Sequence, residues 1–265
     1  MVNYSINASK SIIPKSSYIG NNVEVNCEHF ELGDNSFIGD NVRINCRKFV
    51  SGSYLFMTDG VEVGRGGCFG PRSNVTIGDH VGIFERTILN PSEPISIGDN
   101  VGIGGEVMIW THGVWLDVLH GFPSSFGPVT IGNNVWLPAR SIVLPNTTIG
   151  ENCVIAINSV VNRDIPPGCL AGGNPISIIK ENYYPKKLNK DEKMEIVMEI
   201  ISEWEELINY KQHNEFEVKV EEDLSVRLSE SDSGDTVFNI GHLPYSIDGV
   251  TSELAEDLRD YLRRR

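Results

Sequence analysis

Residues 131–165, IGNNVWLPARSIVLPNTTIGENCVIAINSVVNRDI, decide the fold. An aliphatic residue returns every six positions, at Ile131, Leu137, Val143, Ile149, Ile155 and Val161. Four residues after these stand Val135, Ser141, Thr147, Cys153, Ser159 and Ile165, mostly small. A six-residue unit of short strand plus corner cannot bury its apolar side alone. Three units make one triangular coil, and coils stacked at about 4.8 Å give parallel sheets on its faces. Hairpins at regular spacing would need turn residues between alternating strands, and six positions leave no room for both. The expected fold is mainly β, a triangular parallel β-solenoid.

The phase continues upstream at Ile97, Ile103 and Ile109, at Ile77 and Ile83, and at Leu32, Ile38 and Ile44. Gly-Asp/Asn pairs follow many of these aliphatics, as in Ile38-Gly39-Asp40-Asn41 and Ile97-Gly98-Asp99-Asn100. Gly, Asn and Asp tolerate the positive φ of tight corners. Two breaks in register stand out. Ile77 to Ile97 is two residues longer than three hexapeptides, which places an insertion near Pro91–Pro94. Ile97 to Ile131 carries 16 more than one coil, so residues 113–127, GVWLDVLHGFPSSFG, form a loop expelled from the stack. Residues 49–76 are glycine-rich and poorly periodic, and their corners stay unplaced.

Composition bounds the function. A hydrophobic fraction of 40% and a charged fraction of 22% are those of a soluble globular chain. Met1–Lys15 has no signal-like apolar core, and no run approaches membrane-span length, so a cytoplasmic protein is expected. Cys27, Cys46, Cys68, Cys153 and Cys169 are scattered without a CxxC pair, which argues for buried thiols or ordinary surface cysteines rather than a metal site or disulfide framework. Residues 1–180 hold 11 Lys+Arg against 15 Asp+Glu, a net of -4; residues 181–265 hold 11 against 21, a net of -10. Such acidity disfavours a nucleic-acid partner. The shift marks a boundary between a solenoid domain, 1–180, and an acidic C-terminal module, 181–265.

The long loop starts directly after Trp110-Thr111-His112. Here the sequence resembles the hexapeptide-repeat acyltransferases, particularly the galactoside, maltose and xenobiotic acetyltransferase group. The matching residues are this Thr-His, then Ile131-Gly132-Asn133-Asn134-Val135-Trp136, Leu144-Pro145, Ile149-Gly150-Glu151-Asn152, Ser159-Val160-Val161, Asp164-Ile165-Pro166-Pro167-Gly168 and Ala171-Gly172-Gly173-Asn174-Pro175. The resemblance covers about residues 77–180. It implies a left-handed helical sense, contrary to ordinary parallel crossovers, a homotrimer, and active sites between neighbouring solenoids. It also implies acetyl-CoA as acyl donor, with no metal.

His112 is the expected general base: acetyl transfer needs a proton removed from the acceptor as it attacks the thioester, and a neutral imidazole suits that task. The resemblance makes the Ala139 backbone N–H the oxyanion donor and lays Trp136 along the pantetheine arm. It sets Ala156 and Ser159 in the CoA groove, with Arg163 and Lys180 toward the nucleotide phosphates. Two positions depart from the family: Ala156-Ile157-Asn158-Ser159 replaces a smaller Gly-Ala-Gly-Ser, and Glu85 replaces an acceptor-binding asparagine. Glu85 either contacts the acceptor or orients His112 from a neighbouring subunit. Trp115 and Asp117, with Phe122 and Phe126, suit either a sugar ring or plain anchoring of the loop. His120 contacts substrate or faces solvent, and His80 is a corner residue.

The expected activity is O-acetylation of a sugar hydroxyl in bacterial surface-polysaccharide biosynthesis. N-acylation of an amino sugar and acetylation of an antibiotic hydroxyl are siblings. A zinc-dependent carbonic anhydrase using His80, His112 and His120, or a scaffold whose tail binds protein, would be different classes.

In the C-terminal module, residues 189–212 read as an amphipathic helix with Met194, Ile196, Val197, Ile200, Ile201, Trp204, Leu207 and Ile208 on its apolar face. Short strands are expected at 216–220, 224–228 and 236–240, then a helix over 252–264 ending in Arg263-Arg264-Arg265, cations suited to a helix C-terminus. The module either caps the solenoid's open strand edges or recruits a partner.

Overall fold

The computed structural model describes residues 3–64, 70–211, 216–231, 234–241, 246–249 and 252–264. Cys68 and Arg265 lie outside the described residues, as do the side chains of Arg263 and Arg264. The chain divides into two compact units, Met1–Pro185 and Lys186–Arg265.

The first unit is a parallel β-solenoid of about 9 turns. One face is a 9-stranded sheet; the other two merge into a 13-stranded sheet, because Val23–Glu31 runs through a corner and pairs with both Arg43–Asn45 and Lys48–Ser51. Inside, Leu137, Val143, Ile149, Ile155 and Val161 are 0% exposed, so the six-residue aliphatic set is the core. Register shows where the repeat stretches: Val25 pairs with Ile44, Met57 with Ile83, Ile97 with Ile131, and Ile131 with Ile149. Strands Lys48–Ser51, Phe56–Met57, Glu62–Val63 and Asn74–Ile77 place the stretch whose corners the sequence left open.

The Gly-Asp-Asn corners divide their labour more sharply than the sequence suggested. The left-handed backbone falls on the third residue, with φ of 57° at Asn100, 58° at His80 and 55° at Asn134. Gly98 serves clearance: a Cβ there would lie 2.2 Å from Asn133 Oδ1. Asp99 Oδ1 accepts the Asp79 N–H at 2.8 Å, and Asn133 Oδ1 accepts the Asp99 N–H at 2.8 Å. Asn100 donates to Asn134 at 2.9 Å and Asn134 to Asn152 at 3.0 Å. Each corner is thus held by the next one along the axis.

The second unit packs helix α1 (Lys190–Tyr210) and helix α2 (Glu253–Arg264) with a four-stranded antiparallel sheet. Its strands are Phe216–Val220, Ser225–Glu230, Gly234–Asn239 and Ser246–Gly249, the last missing from the sequence reading. Asn189 and Glu192 form a capping box at the start of α1. Val197, Ile201, Trp204 and Ile208 are buried, whereas Ile196 and Leu207 are exposed. At about 100° per residue an apolar stripe has room for the first set alone. The fully buried Trp204 indole donates to Asp257 Oδ1 at 3.0 Å, tying α1 to α2.

Candidate active site

The corner joining the two halves of the 13-stranded sheet behaves unlike the others. It holds 46–47 in one coil and, further along the stack, 91–94 and 111–128, and shrinks back to 144–146. Both register breaks in the sequence therefore stack on one edge of the prism. Four contacts tie the excursions together. Arg72 pairs with Glu93 at 2.6 Å. The Glu93 N–H donates to Thr111 Oγ1 at 2.9 Å, and that hydroxyl donates to the Asn90 carbonyl at 2.7 Å. Ser92 Oγ lies 2.9 Å from His112 Nδ1. Glu93, Thr111 and Asn90 are buried, so their polar groups are matched inside the corner, as burial demands.

His112 starts the long excursion. His112–Gly113 pairs antiparallel with Ser125–Phe126, so the loop leaves and re-enters as a short hairpin. The imidazole stacks on Phe126, with centroids 5.7 Å apart and planes 21° apart, and meets Trp110 edge-on at 6.1 Å. Between the hairpin strands lies a 3-10 turn, Val118–His120. Asp117 caps it, accepting the Leu119 N–H at 2.9 Å and pairing with His120 Nδ1 at 3.0 Å. Both Asp117 oxygens are thus engaged within the loop. Phe126 anchors the hairpin, while Trp115 at 94% exposure and Leu119 at 90% stand out from it.

The remaining expected residues occupy other parts of the prism. Glu85 and Ala139 sit on the corner that follows the 9-stranded sheet, separated from His112 by the strand Met108–Trp110 and its neighbours. A chain therefore does not bring Ala139 and its own His112 together. Glu85 lies over Gly105, where a Cβ would come 2.6 Å from its Oε1, so in its own chain Ser92, not Glu85, touches His112. The Ala139 carbonyl accepts the Asn158 N–H at 3.1 Å. On the same corner Glu106 accepts from Arg86 at 2.7 Å and Arg140 at 2.8 Å, and both cations hold its carboxyl below the usual glutamate range, Arg140 most.

Trp136 projects from the 9-stranded sheet, 59% exposed, over Gly102 of the preceding coil. Ala156, Ile179 and Ser159 converge on Gly172, where a Cβ would meet them at 2.6, 3.3 and 3.6 Å. Ser159 is fully buried, donating to the Ala156 carbonyl at 2.6 Å and accepting the Gly173 N–H at 3.0 Å, so it closes a corner from within. Exposed Ile157 and Ile179 supply apolar surface instead. Arg163 donates to the Ile176 carbonyl, and Lys180 Nζ sits 4.1 Å over the Tyr183 ring. Exposed apolar groups with two cations on one end of the solenoid fit an acyl donor that has an apolar arm and phosphates.

His80 lies at a Gly-Asp corner, stacked on Tyr54 with centroids 4.6 Å apart. Among the described residues no group of three His, Cys, Asp or Glu side chains is set to hold a metal. No described helix is long and apolar enough to cross a membrane. Cys46, Cys153 and Cys169 are buried and Cys27 is half-buried, with Cys27 Sγ 3.8 Å from Cys46 Sγ. Sequence reasoning missed Arg72, Asn90, Ser92 and Glu93. For Ser92 and Glu93 the signal was the two-residue insertion between Pro91 and Pro94, read as a break in register but not as part of a site; Arg72 and Asn90 had none.

The repeat, the stacked corners and the Thr-His at the hairpin mouth define a hexapeptide-repeat solenoid. Residues 128–163 match the family model described as "Bacterial transferase hexapeptide (six repeats)". A Saccharomyces cerevisiae protein provisionally named an acetyltransferase is 41% identical over 112 residues, covering 41% of this chain and 57% of that one. The galactoside O-acetyltransferase of Escherichia coli is 48% identical over 54 residues, covering 20% of this chain and 27% of that one. The chain thus spans less than two thirds of these relatives. A solved galactoside acetyltransferase in complex with coenzyme A is 28% identical, with a TM-score of 0.36 over 60% of this chain and 70% of that one.

Proposed function

We propose that this chain is an acetyl-CoA-dependent O-acetyltransferase acting on a sugar hydroxyl in surface-polysaccharide biosynthesis. The observation that carries the reading is His112, fixed by Ser92 and Phe126 at the root of an exposed aromatic hairpin. The acceptor hydroxyl attacks the thioester carbonyl while His112 Nε2 takes its proton. The Ala139 N–H donates to the developing oxyanion. The departing CoA sulfur then recovers the proton from the imidazolium, and no covalent enzyme intermediate forms. Trp136, Ala156 and Ile179 flank the pantetheine arm, and Arg163 and Lys180 meet the phosphates. Ser159 serves from below by holding the Ala156–Gly173 corner. Because Ala139 and His112 lie on different corners of one prism, a site using both is completed by a second copy, in keeping with a homotrimer. Trp115 offers a ring face to the acceptor, with Asp117 shaping the turn beside it and Glu85 meeting the acceptor from the neighbouring copy.

The test is release of free CoA from acetyl-CoA with a panel of sugars, for wild type and His112→Ala. Loss of a general base is expected to lower turnover by about 10²–10⁴-fold. Undiminished turnover in the variant would remove His112 as base. Release with amino-sugar amines alone would move the reading to N-acylation. Thermal stabilisation by zinc but not by acetyl-CoA would sink the transferase reading altogether.

A further inference from the structure

We propose that Ser92 is the positioning residue of His112, holding the imidazole as the Nδ1–H tautomer so that Nε2 carries the free lone pair. The inference rests on His112 being the base. Ser92 Oγ and His112 Nδ1 are 2.9 Å apart, a good hydrogen-bond distance. The partner of one ring nitrogen decides which nitrogen keeps the proton. A hydroxyl is able to bond either way, donating to Nδ1 or accepting from Nδ1–H. Only the second arrangement leaves Nε2 able to take a proton from an acceptor. The two nitrogens point in divergent directions, so the one facing Ser92 is not the one facing the reaction.

The corner is built to hold this contact. Pro91 and Pro94 bracket it with fixed φ. The next residue, Glu93, is buried and pinned twice, by its N–H on Thr111 Oγ1 and by its carboxylate on Arg72. Thr111, adjacent to His112, is itself pinned on Asn90. Ser92 and His112 are therefore set by a shared clasp between consecutive coils. Stacking on Phe126 and the edge of Trp110 confine the ring plane, so Ser92 decides which nitrogen faces the clasp. The two-residue insertion exists, on this reading, to bring a hydroxyl beneath the histidine.

Long-range ¹H–¹⁵N correlation spectra of the full chain labelled with ¹⁵N-histidine report the tautomer without any acceptor, and His112→Ala assigns the signals. At a pH where the ring is neutral, wild-type His112 is expected to show Nδ1–H. Ser92→Ala is expected to move it toward Nε2–H, and Ser92→Thr to keep it. With a sugar accepted in the CoA-release assay, Ser92→Ala should lower kcat about tenfold, roughly one neutral hydrogen bond, with KM for acetyl-CoA unchanged and activity restored by Ser92→Thr. A wild-type Nε2–H tautomer, or spectra and kcat both indifferent to Ser92→Ala, would overturn the proposal. Undiminished turnover in His112→Ala defeats the general-base reading instead, and the spectra tell the two failures apart.

Discussion

Two corners of the same coil, Gly98-Asp99-Asn100 and Thr111-His112, hold the chain by different means. At the first, the polar side chain of each coil caps a backbone N–H of its neighbour, and glycine lets the coils approach. Every group there is matched by an equivalent group one coil away. At the second, the excursions take the backbone out of register, and Arg72, Ser92, Glu93 and Thr111 replace the repeat with unlike pairs. A repeated corner leaves its side chains committed to the stack. A broken one places an imidazole between a hydroxyl and an aromatic ring.

The contrast breaks first at glycine. A methyl added at Gly98 meets Asn133 Oδ1 at 2.2 Å and Asn133 N at 2.9 Å, whereas one added at Gly113 meets nothing within 4 Å. Gly98→Ala is expected to destabilise the solenoid by about 1–3 kcal/mol, the cost of overpacking. Gly113→Ala should stay within about 0.5 kcal/mol, as for an open surface site. Denaturant titration of both variants checks this. Equal losses would mean that the two corners are packed alike.

The carbonyl ladder comes next in size. Asp99→Ala leaves the Asp79 N–H without its side-chain acceptor and is expected to cost about 1 kcal/mol, one net hydrogen bond. Asp99→Asn should be near neutral, because Asn133 does the same work for Asp99 in the following coil. If both variants lose equally, charge rather than the acceptor oxygen holds the corner. Amide hydrogen exchange at Asp79 would localise the difference.

What was legible in the sequence follows the same division. Ile131 to Val161 announce the core because six-residue spacing is enforced by every coil, and one sequence carries many copies of that constraint. The apolar face of α1 was legible too, yet too wide, because spacing alone does not separate Val197 and Ile201 from the exposed Ile196 and Leu207. Ser159 was read only as a small groove residue; its bonds to Ala156 and Gly173, which hold a corner from inside, have no signature in the sequence. Ser92 was hidden for a different reason. Its contact with His112 spans 20 positions and occurs once, so no periodicity reports it. Strand Ser246–Gly249 is only 4 residues long, with little alternation to read.

The smallest expected effect tests a third kind of corner, where the ladder is ionic. Arg86, Glu106 and Arg140 stack on three consecutive coils, with Glu106 accepting from both cations. Hydrogen bonds from Arg140 and then Arg86 depress the Glu106 pKa in the folded chain. A carboxyl whose pKa falls on folding contributes stability that is full above its unfolded value, about 4.3 for glutamate, and that disappears as pH falls through the folded value. Wild type should therefore exceed Glu106→Gln by a constant margin above about pH 5, and the margin should start to shrink as pH falls below about 4.3 and vanish below the depressed folded value. All three side chains face solvent, so roughly 1 M salt, with a Debye length near 3 Å, should narrow the margin. A gap that persists at low pH would show that the glutamate side chain acts through packing, as Gly98 does, and the ionic ladder would then be one more repeated corner held by shape.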